Sequence, residues 1–255
     1  MKLNNLKLFS LFLFILFHSL ANANENDQLL DSANSAYAKG AYSKAVGFYE
    51  SIIKKGLESP EIYFNLGNAY YKTNNISFAI LNYERAIKLN PDNEDFIFNL
   101  KLANQKIEDK IAVAPQLFLT QWKDGLVDLM TEKGWSEFCI LLIISSLILF
   151  SIYVSTSNRG LQQFGFFGGT FLVIFSIIIF FTAQHKNNLT KNSSGGIITN
   201  AAITVTGSPN EKGTKLFILH EGTKVNILQE DAGWVEIKIA NGNVGWINKS
   251  EMQKI

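Results

Sequence analysis

The sequence predicts a multidomain α and β membrane protein: an α-helical repeat array, then a two-helix transmembrane hairpin, then a small C-terminal β-barrel. Three observations predict it. Two uncharged apolar runs, 138–154 and 164–183, would form helices about 25 and 30 Å long, close to the hydrocarbon thickness of a bilayer. Ahead of them, Tyr37, Ala45 and Tyr49 recur as Tyr71, Ala79 and Tyr83, a period of 34 residues. Behind them the chain alternates in short segments separated by Gly-, Asn- or Pro-containing turns.

Composition bounds the chemistry. With 255 residues and 47% hydrophobic content there is room for two small soluble domains besides the membrane segments. A formal charge of +1 argues against a nucleic-acid binder, which needs a basic face to neutralise phosphates. The single cysteine, Cys139, excludes an intramolecular disulfide and any metal site built on several thiolates. It lies at the start of the first apolar run, where apolar burial is expected rather than redox chemistry.

Residues 1–23 read as a secretory signal peptide: Lys2 and Lys7, an apolar core from Leu8 to Leu20, then Ala21-Asn22-Ala23, with cleavage after Ala23. The alternative is an uncleaved anchor, for which a core of 13 residues is short. In either case the chain beyond residue 23 is exported. The link 155–163 is then inside and both soluble parts are outside. Arg159 alone marks the inner link while Lys133, Lys186 and Lys191 flank the helices outside, so the loop charges support this orientation only weakly and the signal peptide decides it.

Segment 24–112 is the repeat array. Its second unit places Tyr63, Leu66, Gly67, Tyr70, Ala79, Tyr83, Ala86 and Pro91 at large, small and turn positions. This pattern resembles the tetratricopeptide repeat (TPR), a pair of antiparallel helices that stacks on its neighbours because it cannot bury its apolar face alone. The first unit is more degenerate, with Ala33 for Gly67 and Ala36 for Tyr70. Ser59-Pro60-Glu61 supplies a cap, a first-turn proline and an early acid; Lys54-Lys55-Gly56 supplies cations and a glycine at a helix end. Asn90-Pro91-Asp92 breaks the second pair, and a solvating capping helix is expected over about 93–111. Two pairs plus a cap is near the lower limit for such an array, so contacts with a membrane, a partner or a second copy are expected to add stability.

The resemblance implies a concave groove for an extended peptide or a partner's helix. Asparagines recur there at the repeat period: Asn34 at Asn68, and Asn65 at Asn99. Asn both donates and accepts, which suits the backbone of an extended ligand. The alternative is ordinary groove polarity or helix packing. The candidate partner-binding set on the array is Asn34, Asn65, Asn68, Tyr71 and Asn99. The cationic clamp that some TPR domains use for a C-terminal carboxylate is not evident, since Asn99 stands where a basic residue would be wanted.

Segment 113–135 is an amphipathic neck, with Phe118, Trp122, Leu126 and Leu129 at helical spacing. It is expected either in the membrane interface, with Trp122 and Trp135 at headgroup depth, or packed as a core helix on the repeats. In the hairpin, 136–184, the small residues Ser145, Ser146, Gly165, Gly168 and Gly169 permit close helix contact. Neither apolar run contains Asp, Glu, Lys, Arg or His, which points to an anchor rather than a transporter.

After a polar linker, 185–196, segment 197–255 predicts five strands: 202–206, 215–219, 224–229, 234–239 and 244–248. The stretches Gly233-Trp234-Val235-Glu236-Ile237-Lys238 and Gly242-Asn243-Val244-Gly245-Trp246-Ile247, with the Glu221-Gly222-Thr223 turn, resemble the bacterial SH3-like (SH3b) domain. That resemblance implies binding of cell-wall peptides or of proteins. Trp234 and Trp246 are the candidate contacts, with core or rim packing as the alternative, and His220 is expected at the surface end of a strand.

No catalytic, metal or cofactor site is expected. Beyond the signal peptide there are two histidines, His185 and His220, and no nucleophile–base arrangement, HExxH or phosphate-cradling glycine loop can be argued. The order of signal peptide, TPR array, two membrane helices and SH3-like barrel resembles the BatE family (Bacteroides aerotolerance). The runs Leu102-Ala103-Asn104-Gln105-Lys106-Ile107-Glu108-Asp109-Lys110-Ile111 and Leu219-His220-Glu221-Gly222-Thr223-Lys224-Val225 strengthen the likeness. The resemblance implies a bacterial inner-membrane protein with periplasmic N- and C-terminal domains, partnered by von Willebrand A-type Bat proteins, with a role in aerotolerance or envelope stress. The expected function is a noncatalytic scaffold for protein–protein interaction; the alternative is an envelope sensor that binds peptidoglycan through its SH3-like domain.

Overall fold

The computed structural model describes residues 26–114, 118–127, 129–191 and 194–255; the expected signal peptide, 1–23, lies outside them. The chain divides into two compact units, one formed by its two ends up to Ala112 and from Ser194 onward, the other by Val113–Ser193.

The first unit begins with five helices: α1 (26–38), α2 (Tyr42–Lys54), α3 (Pro60–Lys72), α4 (Ile76–Leu89) and α5 (Glu94–Asn104). Local signals set their ends. The Ser59 hydroxyl accepts from the Ile62 N–H, with Pro60 opening α3, and the Asn93 side chain accepts from the Asp95 and Phe96 N–H groups at the start of α5. Gly56 takes φ +82° just after α2. The helices pair as α1–α2 and α3–α4 with α5 closing the second pair, a TPR-like array. Its core is Ala33, Ala45, Tyr49, Ile52, Leu66, Ala79, Ile80 and Tyr83, with Ala69 and Ala103. A Cβ on Gly67 would stand 2.7 Å from the Tyr83 ring, so the small residue admits the aromatic.

The sheet of this unit has seven antiparallel strands: β1 (Gly195–Ile198), β2 (Ala202–Thr206), β3 (Lys215–His220), β4 (Lys224–Asp231), β5 (Trp234–Lys238), β6 (Val244–Asn248) and β7 (Met252–Lys254), in the order β3-β2-β6-β5-β4-β1-β7. Ile198, Val205, Leu219, Val225, Val235, Ile237 and Ile247 form its core. The topology is consistent with the SH3-like expectation, with two strands added. β1 begins inside what the sequence suggests is linker. Its two glycines fit because a Cβ on Gly195 would stand 2.9 Å from Ile255 and one on Gly196 would collide with Met252.

Array and barrel share one interior. Ile197 of β1 is fully buried in the cluster of the helical array, joined by Ile255 and Ile107, while Ile111 packs on the barrel core. Gly222, at φ +84°, brings its backbone against α4 and the segment after α5: a Cβ there would stand 2.5 Å from Ile107 and 3.2 Å from Ile80. Polar contacts ring this seam. The Lys224 ammonium meets Glu84 at 2.7 Å, the Ser77 hydroxyl donates to Glu221 at 3.0 Å, and Arg85 and Lys88 donate to the carbonyls of Lys254 and Ile255. The extra stabilisation sought for a two-pair array is thus supplied in part by the chain's own barrel.

The second unit holds α6 (Phe118–Val127), α7 (Glu132–Ser155) and α8 (Arg159–Lys191). Lys133–Ser155 and Arg159–His185 are long and apolar enough to cross a membrane. Only 17% and 22% of their most apolar windows are buried, unlike the core helix of a water-soluble protein. Ser146 donates to the Gly169 carbonyl at 2.9 Å, and a Cβ on Gly165 would stand 2.6 Å from the Leu149 carbonyl oxygen. Cys139 is buried, its thiol donating to the Ser176 carbonyl. In the neck, Trp122 is 62% exposed, whereas Trp135 is buried beside Cys139, Leu142 and Ile179 with its indole N–H on the Val127 carbonyl.

Candidate functional site

The inner helices α1, α3 and α5 frame a polar pocket of about 290 Å³ lined by Tyr37, Asn68, Tyr71, Lys72, Tyr83, Asn99 and Leu102. The repeat period builds it. Tyr49 donates its phenol to Asn34 Oδ1 at 2.7 Å, and one repeat on, Tyr83 donates to Asn68 Oδ1 at 2.8 Å. Each asparagine therefore ties the inner helix of its repeat to a buried tyrosine of the outer one. Burial, with the Tyr37 phenol adding to it, pushes the Tyr49 hydroxyl up to about 12, and burial raises Tyr83 as well. Both phenols stay protonated and act as donors.

Asn68 Oδ1 accepts a second bond, from Asn99 Nδ2 at 2.9 Å. With Oδ1 doubly engaged, the Asn68 amide nitrogen is oriented as a donor; among the described residues it has no partner. Lys106, just beyond α5, holds its ammonium 4.1 Å from the centroid of the Tyr71 ring, a pocket wall.

Of the array residues singled out in sequence, Asn68, Tyr71 and Asn99 come together at this pocket. Asn34 is exposed on α1 and engaged by Tyr49, and Asn65 is half-buried on α3; neither lines the pocket. Tyr37, Lys72, Tyr83, Leu102 and Lys106 complete the site. The 34-residue recurrences of Tyr37 at Tyr71, of Tyr49 at Tyr83 and of Lys72 at Lys106 were the available signal for all of these but Leu102, which carries none.

On the barrel, Trp234 lies opposite Asn248 and Trp246 opposite Glu236, which places all four on the sheet face away from the core residues Val235, Ile237 and Ile247. Both tryptophans are half-buried and neither belongs to the core cluster. Trp234 lines a depression of about 480 Å³ with Asn200, Thr204, Glu211, Lys215 and Asn248; Trp246 does not line it.

His220 ends β3, as expected, yet it is engaged rather than free. Its ring Nδ1 sits 2.8 Å from Asp109 Oδ1, while its backbone N–H and the Thr223 hydroxyl both donate to Asp109 Oδ2 at 2.7 Å. Partial burial opposes ionisation of Asp109, but these donors outweigh it and hold the carboxyl below the usual carboxylate range. The Asp109 hydrogen bond raises His220 in turn. Among the described residues, no three His, Cys, Asp or Glu side chains gather in a metal-binding group.

Comparison with known proteins agrees with this reading at the level of modules. Residues 60–93 match the tetratricopeptide repeat family and residues 207–253 match the bacterial SH3 domain family. Both are interaction modules, and no enzyme family is indicated. No curated protein matches the chain. Among solved structures, the chain is similar to the Sgt2 TPR domain from Aspergillus fumigatus, at 17% identity over 58% of this chain and 79% of that one, with a TM-score of 0.30. It is also similar to the MamA protein, at 17% identity over 68% of this chain and 78% of that one, with a TM-score of 0.32.

Proposed function

We propose that this chain is a noncatalytic membrane scaffold whose repeat groove holds a segment of a protein partner, while the barrel steadies the array from the side. The observation that carries this reading is the polar pocket at Asn68, Tyr71 and Asn99, built by the repeat period in a chain that carries two interaction modules. The apolar hairpin, with no charged group in either run, supplies attachment. Packing of 26–112 with 194–255 in one unit supports an arrangement in which both flanks of the hairpin lie on the same side of the bilayer.

The finer reading rests on the resemblance to the BatE family. The scaffold belongs to a Bat-type complex in the bacterial inner membrane, its soluble unit faces the periplasm, its partners are von Willebrand A-type Bat proteins, and its role lies in aerotolerance or envelope stress. Native copurification in mild detergent, read by mass spectrometry, tests it. Membrane partners should be recovered with the wild-type chain and fall at least ten-fold with Tyr71→Ala/Asn99→Ala. Recovery of the chain alone, or of the same partners with the groove variant, would sink the proposal.

A second reading, peptidoglycan contact by the barrel, rests on the depression beside Trp234. Sedimentation of the whole chain with purified peptidoglycan decides it, with Trp234→Ala as the control. The whole chain is needed because Ile197 is buried in the core of the array, so the barrel is not a free-standing piece.

A further inference from the structure

The pocket is a donor-rich site, and that determines what it can take. Its wall and rim carry the ammoniums of Lys72 and Lys106, both on exposed residues, and the oriented amide of Asn68. Among the described residues, neither lysine has a carboxylate partner. A commonplace role for both is neutralising the C-terminal ends of α3 and α5, where unpaired carbonyls carry partial negative charge. Other groups already engage those carbonyls. Lys110 Nζ donates to the carbonyls of Asn104 and Gln105 at 2.9 and 3.0 Å, and the Thr73 hydroxyl lies within hydrogen-bonding reach of the carbonyls of Ala69 and Tyr70. Lys106 keeps its ammonium over the Tyr71 ring and Lys72 is an exposed lining residue of the same pocket, so both cations stand at the site.

A site offering two cations, an amide N–H₂ and phenol hydroxyls, with no acid of its own, is complementary to an anionic acceptor. We propose that the pocket binds a carboxylate of the partner's extended segment, with Lys72 and Lys106 pairing its charge and Asn68 Nδ2 donating to one of its oxygens. This rests on the reading that the groove holds a partner peptide, and adds the chemistry of what it holds. The cation pair comes from the ends of the second inner helix and of the capping helix. It does not involve position 99, where an asparagine makes the usual carboxylate clamp unavailable.

The test pans a displayed library of random twelve-residue peptides against the whole chain in nanodiscs of zwitterionic lipid. Selected peptides should be enriched in Asp and Glu. Their Kd should rise at least ten-fold in Lys72→Gln/Lys106→Gln, and rise again when salt goes from 50 to 300 mM with the wild type. The double variant alters two exposed side chains and should keep the wild-type circular dichroism and melting temperature. Synthetic forms of the strongest peptide, with its acids changed to amides or its C-terminus amidated, then distinguish a side-chain carboxylate from a terminal one. Peptides that lose affinity with Tyr71→Ala but show neither acid enrichment nor sensitivity to the lysines would overturn this inference and leave the groove reading standing. Selection of no peptide that depends on Tyr71 would overturn both.

Discussion

Asp109 ties the end of the helical array to the barrel. It stands in the segment after α5 and gathers three donors from the end of β3 and the turn beyond it, the His220 backbone and ring and the Thr223 hydroxyl. Asp109→Asn keeps the shape but removes the charge that these donors favour, and should cost about 1–3 kcal/mol in thermal or denaturant unfolding. The pH dependence has two limbs. The Asp109 carboxyl is lowered from 3.8 on folding, so its contribution is complete above that value and is lost as pH falls through the depressed one. His220 is raised from 6.5, so its contribution is complete below 6.5 and is lost as pH rises through the raised value. The joint should therefore be tightest between these two values. Its resistance to limited proteolysis should decline on either side, with a flatter alkaline limb in His220→Gln. An alkaline limb unchanged in His220→Gln would remove the histidine from the account.

Elements show where sequence was sufficient. Repeat periodicity places the paired helices because each spacing serves a contact, as with Gly67 under Tyr83 or Asn68 beneath the Tyr83 phenol. Two-residue alternation likewise places the five strands from β2 to β6, whose inward residues form the barrel core. It does not reveal β1 or β7. Gly195 and Gly196 read as linker, and their suitability as strand residues depends on Met252 and Ile255 arriving from the far end of the chain. Of the site, Asn68, Tyr71 and Asn99 were legible because they recur. Lys72 and Lys106 recur at the same period, but a recurring exposed lysine at a helix end reads as solvated charge, and it takes the fold to bring the Lys106 ammonium over the Tyr71 ring. The hairpin's small residues were legible by type, and the structure assigns the closest approach to Gly165. Gly165→Val should push α7 and α8 apart, lengthen the Ser146–Gly169 hydrogen bond and destabilise the detergent-solubilised chain by about 1–3 kcal/mol. A wild-type melting temperature for that variant would contradict the packing described.

At the scale of the molecule, repeats and barrel form one body rather than two modules on a shared tether. Sequence reading could not foresee this, because the contacts join residues more than 100 positions apart, such as Ser77 with Glu221 and Asp109 with His220. The two runs that most strengthened the family resemblance, 102–111 and 219–225, are in large part the two sides of this seam. Removing 194–255 should therefore weaken the array as well as delete the barrel. The truncated chain should melt well below the intact one and expose Ile80, read as increased binding of a hydrophobic dye. An array melting unchanged would show that the seam contributes little.

Ile197 carries a consequence for biogenesis. The helical core that surrounds it is made first, emerging from the ribosome with its seat for this residue still empty, and the whole hairpin must be synthesised before the side chain that fills it appears. A core completed by so distant a strand closes late and slowly. During that interval the nascent helices present an incompletely covered apolar core, a stage at which a holding chaperone would have most to protect.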